Sequence, residues 1–563
     1  MMFAQIEALK AEASCWKKED LLCAGATLVV SALLLIASFP PFDFPEAAYV
    51  LAVPFLLWSY ARPPWRLFIG TVFLAGFVGW VVLIFWLRHV TSGGMVFLAA
   101  YLALNYTVWF IAARWTLPRI ADREFSVRIG GILALAGLWV LLEYGRVYFC
   151  TGFPWLPLAA SQWERPLMLQ SAAYAGAWAI SFSLIFFNLA ITAYLLRMYR
   201  FYKEKKGRFC PEFYLALILV FVVSFGLYKQ AVGQDRRELL RAGIMQPYVP
   251  QEAKWDKDYA LEILDTLERT TLSLKALEPD AMFRPEAVTP YAVKGDQYVQ
   301  EWIEKLTSDL GVTLFLGSIA TEGEPASEEE AWYNAVMMVD PELGLYSEYY
   351  RKQHLVPFGE YVPFRRFFPW AAKFVPIGED FIPGETPSLL PLSLPHLRLE
   401  VGSLICFEDV FPSLARKSVK EGAGILYVST NNAWYGEEGS AYQHAAHSVL
   451  RAVETRRVVL RVGNGGWSGW IDEYGIIRNV YVDSEDSIYA RGGTVFEICI
   501  HTRASARPGL RRRAAERAGA GRRPVRARCL AGVFQRRNRR LQGFALCGTG
   551  AQDYPALRRR RYR

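Results

Sequence analysis

Val401-Gly-Ser-Leu-Ile-Cys-Phe-Glu-Asp-Val-Phe411 is the stretch around which the rest of the chain is organised. An apolar, strand-like run ends at Cys406, and two acids, Glu408 and Asp409, follow in the predicted turn. This position suits a nucleophile, because a strand end holds a side chain rigidly while the turn leaves it open. Free cysteine is also among the most buried residue types, so a structural thiol is the alternative on this stretch alone.

The composition places the positive charge of the chain at its end. The 563 residues carry a formal net charge of +9, but residues 501–563 hold 19 arginines and two acids, so residues 1–500 carry −8. The body of the chain therefore lacks the basic balance expected of a nucleic-acid-binding protein. The cysteines and histidines show no metal-ligand spacing, so no metal, other cofactor or disulfide framework is predicted.

Residues 1–233 are predicted to form a membrane domain of about seven helical spans. Several apolar segments approach the ~20 residues that a helix needs to cross a bilayer. The segments lie at 21–38, 48–61, 68–87, 95–113, 129–145, 171–196 and 212–229. The second is shorter than most and contains proline. No small-residue cleavage site follows the first, which we interpret as an anchor rather than a signal peptide.

The basic residues between the segments predict the orientation of the chain. With the N-terminus inside, the inner-side segments carry 15 lysines and arginines, whereas the outer side carries only Arg88, Arg146 and Arg165. Lysine and arginine concentrate in the cytoplasmic loops of membrane proteins. Seven spans then place everything after residue 233 on the outer side, which in a bacterium is the periplasm.

Residues 234–500 are predicted to form an α/β domain. Apolar runs typical of buried strands lie at 241–248, 312–319, 334–340, 398–406, 424–429 and 457–463. Helical patterns lie at 257–277, 296–310, 413–421 and 440–455. Because the strands are too apolar to alternate with polar residues, they indicate a sheet covered by helices.

Three residues of this domain supply the groups needed for acyl transfer. Glu286 lies in a proline-flanked loop, Lys352 begins a second turn-rich loop, and Cys406 ends its strand. A carboxylate can take the thiol proton before the thiolate attacks a carbonyl. An ammonium lowers the pKa of a nearby thiol and, with the backbone N–H after the cysteine, stabilises the oxyanion. Taken singly, Glu286 and Lys352 are better explained as solvated charges, so only the combination predicts a site.

The order Glu286, Lys352, Cys406 resembles the Glu-Lys-Cys triad of the nitrilase superfamily. Behind a multi-span membrane domain, this arrangement is similar to the apolipoprotein N-acyltransferases of bacterial envelopes. The resemblance covers about residues 20–500 and implies an α-β-β-α sandwich. It rests on Lys254-Trp-Asp, Arg284-Pro-Glu, Tyr333-Asn-Ala, Lys352-Gln-His-Leu-Val-Pro-Phe-Gly-Glu-Tyr-Val-Pro, Ile405-Cys-Phe-Glu, Asn431-Asn-Ala-Trp-Tyr-Gly, and Thr151-Gly-Phe-Pro-Trp with Ser161-Gln162.

The resemblance also implies a role for each matched residue. Glu286 would be the general base, Lys352 the oxyanion partner and Cys406 the acyl carrier. Supporting positions would be Glu360, Glu408 and Phe407, and positions around the substrate would be Trp255, Asn334 and Trp434. Phe407 departs from the tyrosine often found in the family, so a hydroxyl is lost there while the backbone N–H remains.

The implied reaction is ping-pong acyl transfer without a cofactor. A phospholipid would donate an acyl chain to Cys406, and the amino group of the diacylglyceryl-cysteine of an apolipoprotein would accept it. This is the last step of bacterial lipoprotein maturation. It implies a multi-pass protein of the inner membrane with its catalytic domain in the periplasm. The implied partners are the phospholipid, the apolipoprotein and the bilayer.

Two other functions are weighed against this one. A membrane-tethered nitrilase-like hydrolase would use water as the acceptor, and the triad alone does not exclude it. A transporter or receptor would use the outer domain only to bind ligand, but the spans carry almost no charge and the three reactive residues would have no purpose. The membrane spans and the run from Lys352 to Pro363 favour transfer.

Two further segments stand apart from this chemistry. Aromatic and basic residues share 361–374, which indicates either a membrane-dipping arm that gates lipid entry or a packed surface loop. Residues 501–563 are rich in arginine without lysine or periodicity, as is typical of disorder. The family's final membrane helix has no counterpart there, so we hypothesise a frameshift near residue 499, with a genuine lipid-binding tail as the alternative. A continuous reading frame in the gene would contradict the frameshift.

Overall fold

The computed structural model describes residues 17–205, 209–231, 237–250, 254, 258–323, 330–362 and 380–501. Trp255, residues 363–374 of the aromatic segment and residues 502–563 of the tail lie outside these ranges. The expectations for them therefore remain predictions.

The N-terminal part of the chain is a bundle of apolar helices. Its α-helices are α1 Lys18–Ala37, α2 Val53–Tyr60, α3 Trp65–Leu83, α4 Ser92–Ile120, α5 Phe125–Tyr148, α6 Pro166–Leu169, α7 Ala172–Ala175, α8 Ala177–Glu204, α9 Pro211–Leu217 and α10 Ser224–Ala231. A π-helical turn joins α9 and α10 into one rod. Among the described residues, six helices (α1, α3, α4, α5, α8 and this rod) are long and apolar enough to cross a membrane.

The segment predicted as the second span, 48–61, differs from the expectation because it is not one continuous helix. It consists of a 3-10 turn, Pro45–Tyr49, and the eight-residue helix α2. A proline starts each of these two pieces, because its missing N–H is tolerated in the first turn of a helix but interrupts a helix interior.

The same segment nevertheless runs from one end of the bundle to the other. Before it, Pro40 O accepts a hydrogen bond from Gln443 of the C-terminal domain. After it, Ser59 O accepts a hydrogen bond from Arg114, near the far end of α4. Arg114 lies 22 residues beyond Ser92, about 33 Å along a helix that begins beside the C-terminal domain. This length matches the hydrocarbon core of a bilayer.

The C-terminal domain consists of two stacked sheets. The first has the strand order β13-β1-β2-β3-β4-β5, with β6 paired to β4, and the second has the order β12-β11-β10-β9-β8-β7. The strands of the first are β1 Arg237–Gln246, β2 Ala281–Phe283, β3 Thr313–Glu322, β4 Ala331–Asp340, β5 Gly344–Leu345, β6 Tyr350–Arg351 and β13 Gly492–His501. Those of the second are β7 Leu389–Ser393, β8 Arg398–Ile405, β9 Ile425–Thr430, β10 Val458–Gly463, β11 Gly469–Ile471 and β12 Ile477–Val480. Four helices flank the sheets: α11 Ala260–Lys275, α12 Gln297–Leu310, α13 Pro412–Glu421 and α14 Ser440–Thr455.

Alternate residues of β9 show how the layers are stacked. Ile425 and Tyr427 belong to the core between the two sheets, whereas Leu426 and Val428 belong to a core shared with α13, α14 and the membrane helices. Successive side chains of a strand point to opposite faces of its sheet, so both faces of β9 are buried. On the other side, α11 and α12 cover the first sheet. The predicted α-β-β-α sandwich is confirmed, and the membrane bundle packs against its α13–α14 face.

Helix α14 joins the sandwich to the membrane bundle. Gln443 Oε1 accepts hydrogen bonds from the indole N–H groups of Trp86 and Trp155 at 3.0 and 2.9 Å. Its Nε2 donates to Pro40 O and Leu83 O at 2.9 and 2.8 Å. All hydrogen-bonding atoms of this buried amide are therefore satisfied by the bundle, as burial away from water requires.

Candidate active site

Cys406 lies where β8 ends and a short 3-10 turn, Cys406–Val410, begins. Its φ of +51° is in the left-handed region, which few residues other than glycine adopt and which marks local backbone strain. The backbone carbonyl of Cys406 lies 3.1 Å from His444 Nε2 on α14. The cysteine is thus held in a strained turn between the sheet and the helix that contacts the membrane bundle.

The Glu408 carboxylate connects this turn to the loop that carries Lys352. One oxygen accepts Ile405 N–H at 2.7 Å and the Tyr350 hydroxyl at 2.8 Å. The other accepts the backbone N–H groups of Gln353 and His354 at 2.7 and 3.1 Å. Complete burial raises the pKa of Glu408 to about 7, although these donors oppose the shift. Glu408 therefore has the contacts of a positioning residue.

The Lys352 ammonium lies between two carboxylates. Its Nζ is 3.2 Å from Glu286 Oε1 and 2.9 Å from Glu360 Oε1. Asn334 Nδ2, on β4, donates to the same two oxygens at 2.8 and 2.6 Å. All four side chains are buried. The structure thus brings together four residues that are separated by up to 74 positions in the sequence.

The charges in this cluster support one another. Burial disfavours the charge on Glu286, but Lys352, the Asn334 hydrogen bond and Lys254 outweigh it and lower the pKa of the carboxyl. Burial likewise disfavours the charge on Lys352, but Glu286 and then Glu360 raise the pKa of its ammonium well above its usual value. Glu286 and Lys352 are therefore both charged at neutral pH, and Glu286 is available as a base.

The thiol of Cys406 is protonated at rest. Burial, followed by the Glu286 charge, raises its pKa to about 12. Lys352, the Thr430 hydroxyl and the Asn431 backbone N–H act in the opposite direction but do not prevail. Lys352 does lower the pKa of the Cys406 thiol, as expected. The pKa is nevertheless raised overall, because desolvation has the larger effect. Such a thiol needs a base at the moment of attack.

Two other predicted residues occupy different surroundings. The Phe407 ring stacks near Phe153 and Trp155 of the membrane domain, with centroids 6.3 and 6.4 Å apart. Trp434 is half-buried in the 3-10 turn Asn432–Tyr435 that follows β9. Phe407 is therefore a contact between the two domains.

Three residues near the cysteine were not singled out from the sequence. Lys254 Nζ donates to the backbone oxygen of Glu286 at 3.1 Å, and burial lowers its pKa to about 8. Burial, followed by electrostatic interaction with Cys406 and Glu286, raises the pKa of Tyr435. His444 contacts the Cys406 carbonyl. Lys254 and Tyr435 lie in stretches that carry the family resemblance, and this resemblance is the signal by which they could have been found.

A buried polar cluster supports the cysteine turn from behind. Asp409 Oδ2 accepts hydrogen bonds from Ser448 Oγ and from Arg461, both at 2.6 Å. His444 Nε2 lies 2.8 Å from Asp409 Oδ1. Burial opposes the charge of Asp409, but His444 and Arg461 hold its pKa well below the usual range. The Trp155 ring lies 5.4 Å from the His444 ring, so this cluster also contacts the membrane domain.

Comparison with known proteins gives matches to both parts of the chain. Residues 31–190 match the apolipoprotein N-acyltransferase N-terminal domain, and residues 277–494 match the carbon-nitrogen hydrolase family. The apolipoprotein N-acyltransferase of Brucella melitensis is 30% identical over 469 residues, 78% of this chain and 84% of that protein. That of Geobacter metallireducens is 29% identical over 83% of this chain and 91% of its own length.

A solved structure is similar to part of the chain. It is an amidase from Nesterenkonia sp., 17% identical, which covers 51% of this chain and 98% of its own, with a TM-score of 0.35. The carbon-nitrogen hydrolase match and the two stacked sheets establish the sandwich fold independently of this likeness.

The pKa of Cys406 gives a testable pH dependence. Only the thiolate is alkylated, so iodoacetamide labelling of Cys406 should rise continuously from about pH 7 to about pH 10 without reaching a plateau. Glu286→Gln removes a negative neighbour, lowers the thiol pKa and should shift the curve to lower pH. Peptide mass spectrometry measures both, with exposed Cys23 and Cys150 as internal controls. A wild-type plateau near neutral pH would contradict the protonated resting state.

Proposed function

Since the chain belongs to the apolipoprotein N-acyltransferase family, we propose that it takes an acyl chain from a phospholipid as a thioester on Cys406 and passes it to the diacylglyceryl-cysteine of an apolipoprotein. It is an acyltransferase of lipoprotein N-acylation and acts in a membrane context. The phospholipid as donor and the residue roles are the parts proposed here. The observation that carries the proposal is the buried contact of Glu286 with Lys352, beside the strained Cys406 turn.

In the first half-reaction, Glu286 takes the proton of Cys406 Sγ as the sulfur attacks the ester carbonyl. The negative charge that develops on the carbonyl oxygen is stabilised by the Lys352 ammonium. The tetrahedral intermediate collapses by breaking the ester C–O bond, and protonated Glu286 returns its proton to the leaving alcohol. The products are an acyl-thioester on Cys406 and a lysophospholipid.

In the second half-reaction, the α-amino group of the lipid-modified cysteine attacks the thioester carbonyl. Glu286, ionised again, takes a proton from the attacking nitrogen while Lys352 stabilises the oxyanion. Breaking the C–S bond expels the Cys406 thiolate, which recovers a proton from Glu286. Glu360 is the second carboxylate that contacts Lys352, and it keeps the ammonium charged through both half-reactions. Asn334 aligns the two carboxylates.

The packing of the site against the membrane helices favours transfer over simple hydrolysis. The residue after the nucleophile, Phe407, stacks on the membrane loop that contains Phe153 and Trp155. Both proposed substrates are lipids held in a bilayer, so an active site at this junction is reached without either lipid leaving the membrane. A soluble amide would need no such junction.

We also propose the domain limits and the orientation inferred from the sequence. Residues 1–233 would be the membrane domain, 234–500 the catalytic domain and 501–563 a separate tail. The end of the bundle remote from the sandwich carries Arg114, and the basic loops at 119–128 and 197–205 share that end. Because basic residues concentrate on the cytoplasmic side, the sandwich would face the periplasm of a bacterial inner membrane.

The reaction is tested by the N-termini of lipoproteins in cells that depend on this protein. Cys406→Ala should abolish N-acylation and leave diacylated N-termini, since the substitution removes the proposed acyl carrier. Cys23→Ala, a matched loss of an exposed thiol on α1, should leave N-acylation at the wild-type level. Mass spectrometry of lipoprotein N-terminal peptides distinguishes the two states. Triacylated N-termini that persist in the Cys406→Ala strain would contradict the proposal.

The orientation is tested by thiol labelling of intact spheroplasts. In a background that keeps only the two buried cysteines, Cys210 and Cys406, Glu485→Cys in the sandwich should react with a membrane-impermeant maleimide. Glu124→Cys, exposed between α4 and α5 at the opposite end, should react only after the membrane is permeabilised. Equal labelling of the two positions before permeabilisation would contradict the assignment. Labelling of Glu124→Cys alone would indicate the opposite orientation.

A further inference from the structure

A small cavity lies inside the membrane bundle, directly under the loop that carries Trp155. Its volume is about 40 Å³. Leucines such as Leu35 and Leu142 form much of its wall, but polar side chains also line it. The polar lining residues come from α3, α4 and α5, and they are Trp80, Asn105, Tyr106, Trp139, Glu143 and Arg146.

Three buried polar atoms on the residues lining this cavity have no hydrogen-bond partner among the described residues. They are the indole nitrogen of Trp80, the hydroxyl of Tyr106 and the second carboxylate oxygen of Glu143. These side chains are 6%, 5% and 5% exposed. A buried polar group without a partner is destabilising, and hydrocarbon offers no replacement partner. Three such groups around one cavity point to a ligand that satisfies them together.

The chemistry of the lining restricts that ligand. The Trp80 N–H requires an acceptor, whereas the unpartnered oxygen of the Glu143 carboxylate requires a donor. An anion would be repelled by Glu143 and a metal cation by Arg146. A neutral molecule that both donates and accepts hydrogen bonds fits every group.

The size of the cavity selects among such molecules. A water needs at least roughly 10–15 Å³ of cavity volume of this kind, so the cavity is large enough for a small number of waters. We infer that the cavity is an intramembrane hydration site, in which ordered waters bond to Trp80, Tyr106 and Glu143.

The waters would hold the loop that connects the membrane bundle to the active site. The other oxygen of Glu143 accepts the backbone N–H of Leu158 at 2.7 Å. Arg146 reaches the backbone oxygen of Trp155 at 3.5 Å. The Trp155 ring in turn contacts Phe407 and His444 beside the nucleophile. The hydration site thus completes the hydrogen bonding of the Glu143 carboxylate, which holds this loop. This role does not depend on which acyl acceptor the enzyme uses.

X-ray radiolysis of the wild-type, full-length protein in lipid nanodiscs tests this site. Radiolysis generates hydroxyl radicals from bound waters in place, so side chains beside such waters are oxidised even when they are buried. Trp80 and Tyr106 should be oxidised several-fold faster than two matched buried residues whose polar atoms have protein partners. These controls are Trp109, which donates to Leu135 O, and Tyr427, which donates to Arg284 O.

The variant Glu143→Leu removes one partner of the waters and fills part of their space. It should slow oxidation of Trp80 and Tyr106 toward the control rates, while an unchanged rate at Trp109 shows that the bundle is intact. Oxidation of wild-type Trp80 and Tyr106 at the control rates would overturn the inference. Because that comparison uses only the wild-type protein, it holds whether or not the variant folds.

Discussion

The Lys352 ammonium between Glu286 and Glu360 is the interaction on which the rest of the structure depends. A buried charge costs several kilocalories per mole unless its partners are well placed. Here each partner comes from a different part of the sandwich: Glu286 follows β2, Asn334 lies on β4, and Lys352 follows β6. The two carboxylates and the ammonium are therefore stable only when the first sheet is assembled. The same constraint keeps Glu286 ionised, which is the state in which it can serve as a base.

Cys406, the proposed nucleophile, belongs to the other sheet, so the site also depends on how the sheets are joined. Glu408 makes this link, since its four hydrogen bonds connect the end of β8 to the loop after β6. Behind the cysteine, α14 supplies His444 to the turn and Gln443 to the membrane bundle, one residue apart. Sandwich, nucleophile and bundle are thus connected through adjacent side chains of one helix. This arrangement explains how a catalytic sandwich and a bundle of membrane helices share one site.

Much of the fold could be predicted because its longer elements carry clear periodic patterns. The six predicted strands and four predicted helices of the sandwich are present within about four residues of their expected limits. Strands of two or three residues, such as β2 and β5, are too short to show a period. The segment at 48–61 was predicted as one helical span because of its apolar composition, whereas prolines divide this region into two short helices.

The site was predictable where chemistry and spacing coincide in a short motif, as for Cys406 and Lys352. Contacts between residues that are distant in the sequence were not predictable. Gln443 donates a hydrogen bond to Pro40, 403 positions away, and no pattern in the sequence of α14 indicates that contact. The raised pKa of Cys406 likewise follows from desolvation, which depends on the assembled core.

The central claim, that Cys406 carries the acyl group, is tested most directly by trapping the acyl-enzyme. The purified full-length protein is incubated with phospholipid in the absence of apolipoprotein and then examined by intact-protein and peptide mass spectrometry. The mechanism predicts one acyl chain on the peptide containing Cys406, cleaved by neutral hydroxylamine and matched by an equal amount of lysophospholipid. Acylation of an added apolipoprotein by protein that never carries an acyl chain on Cys406 would contradict it.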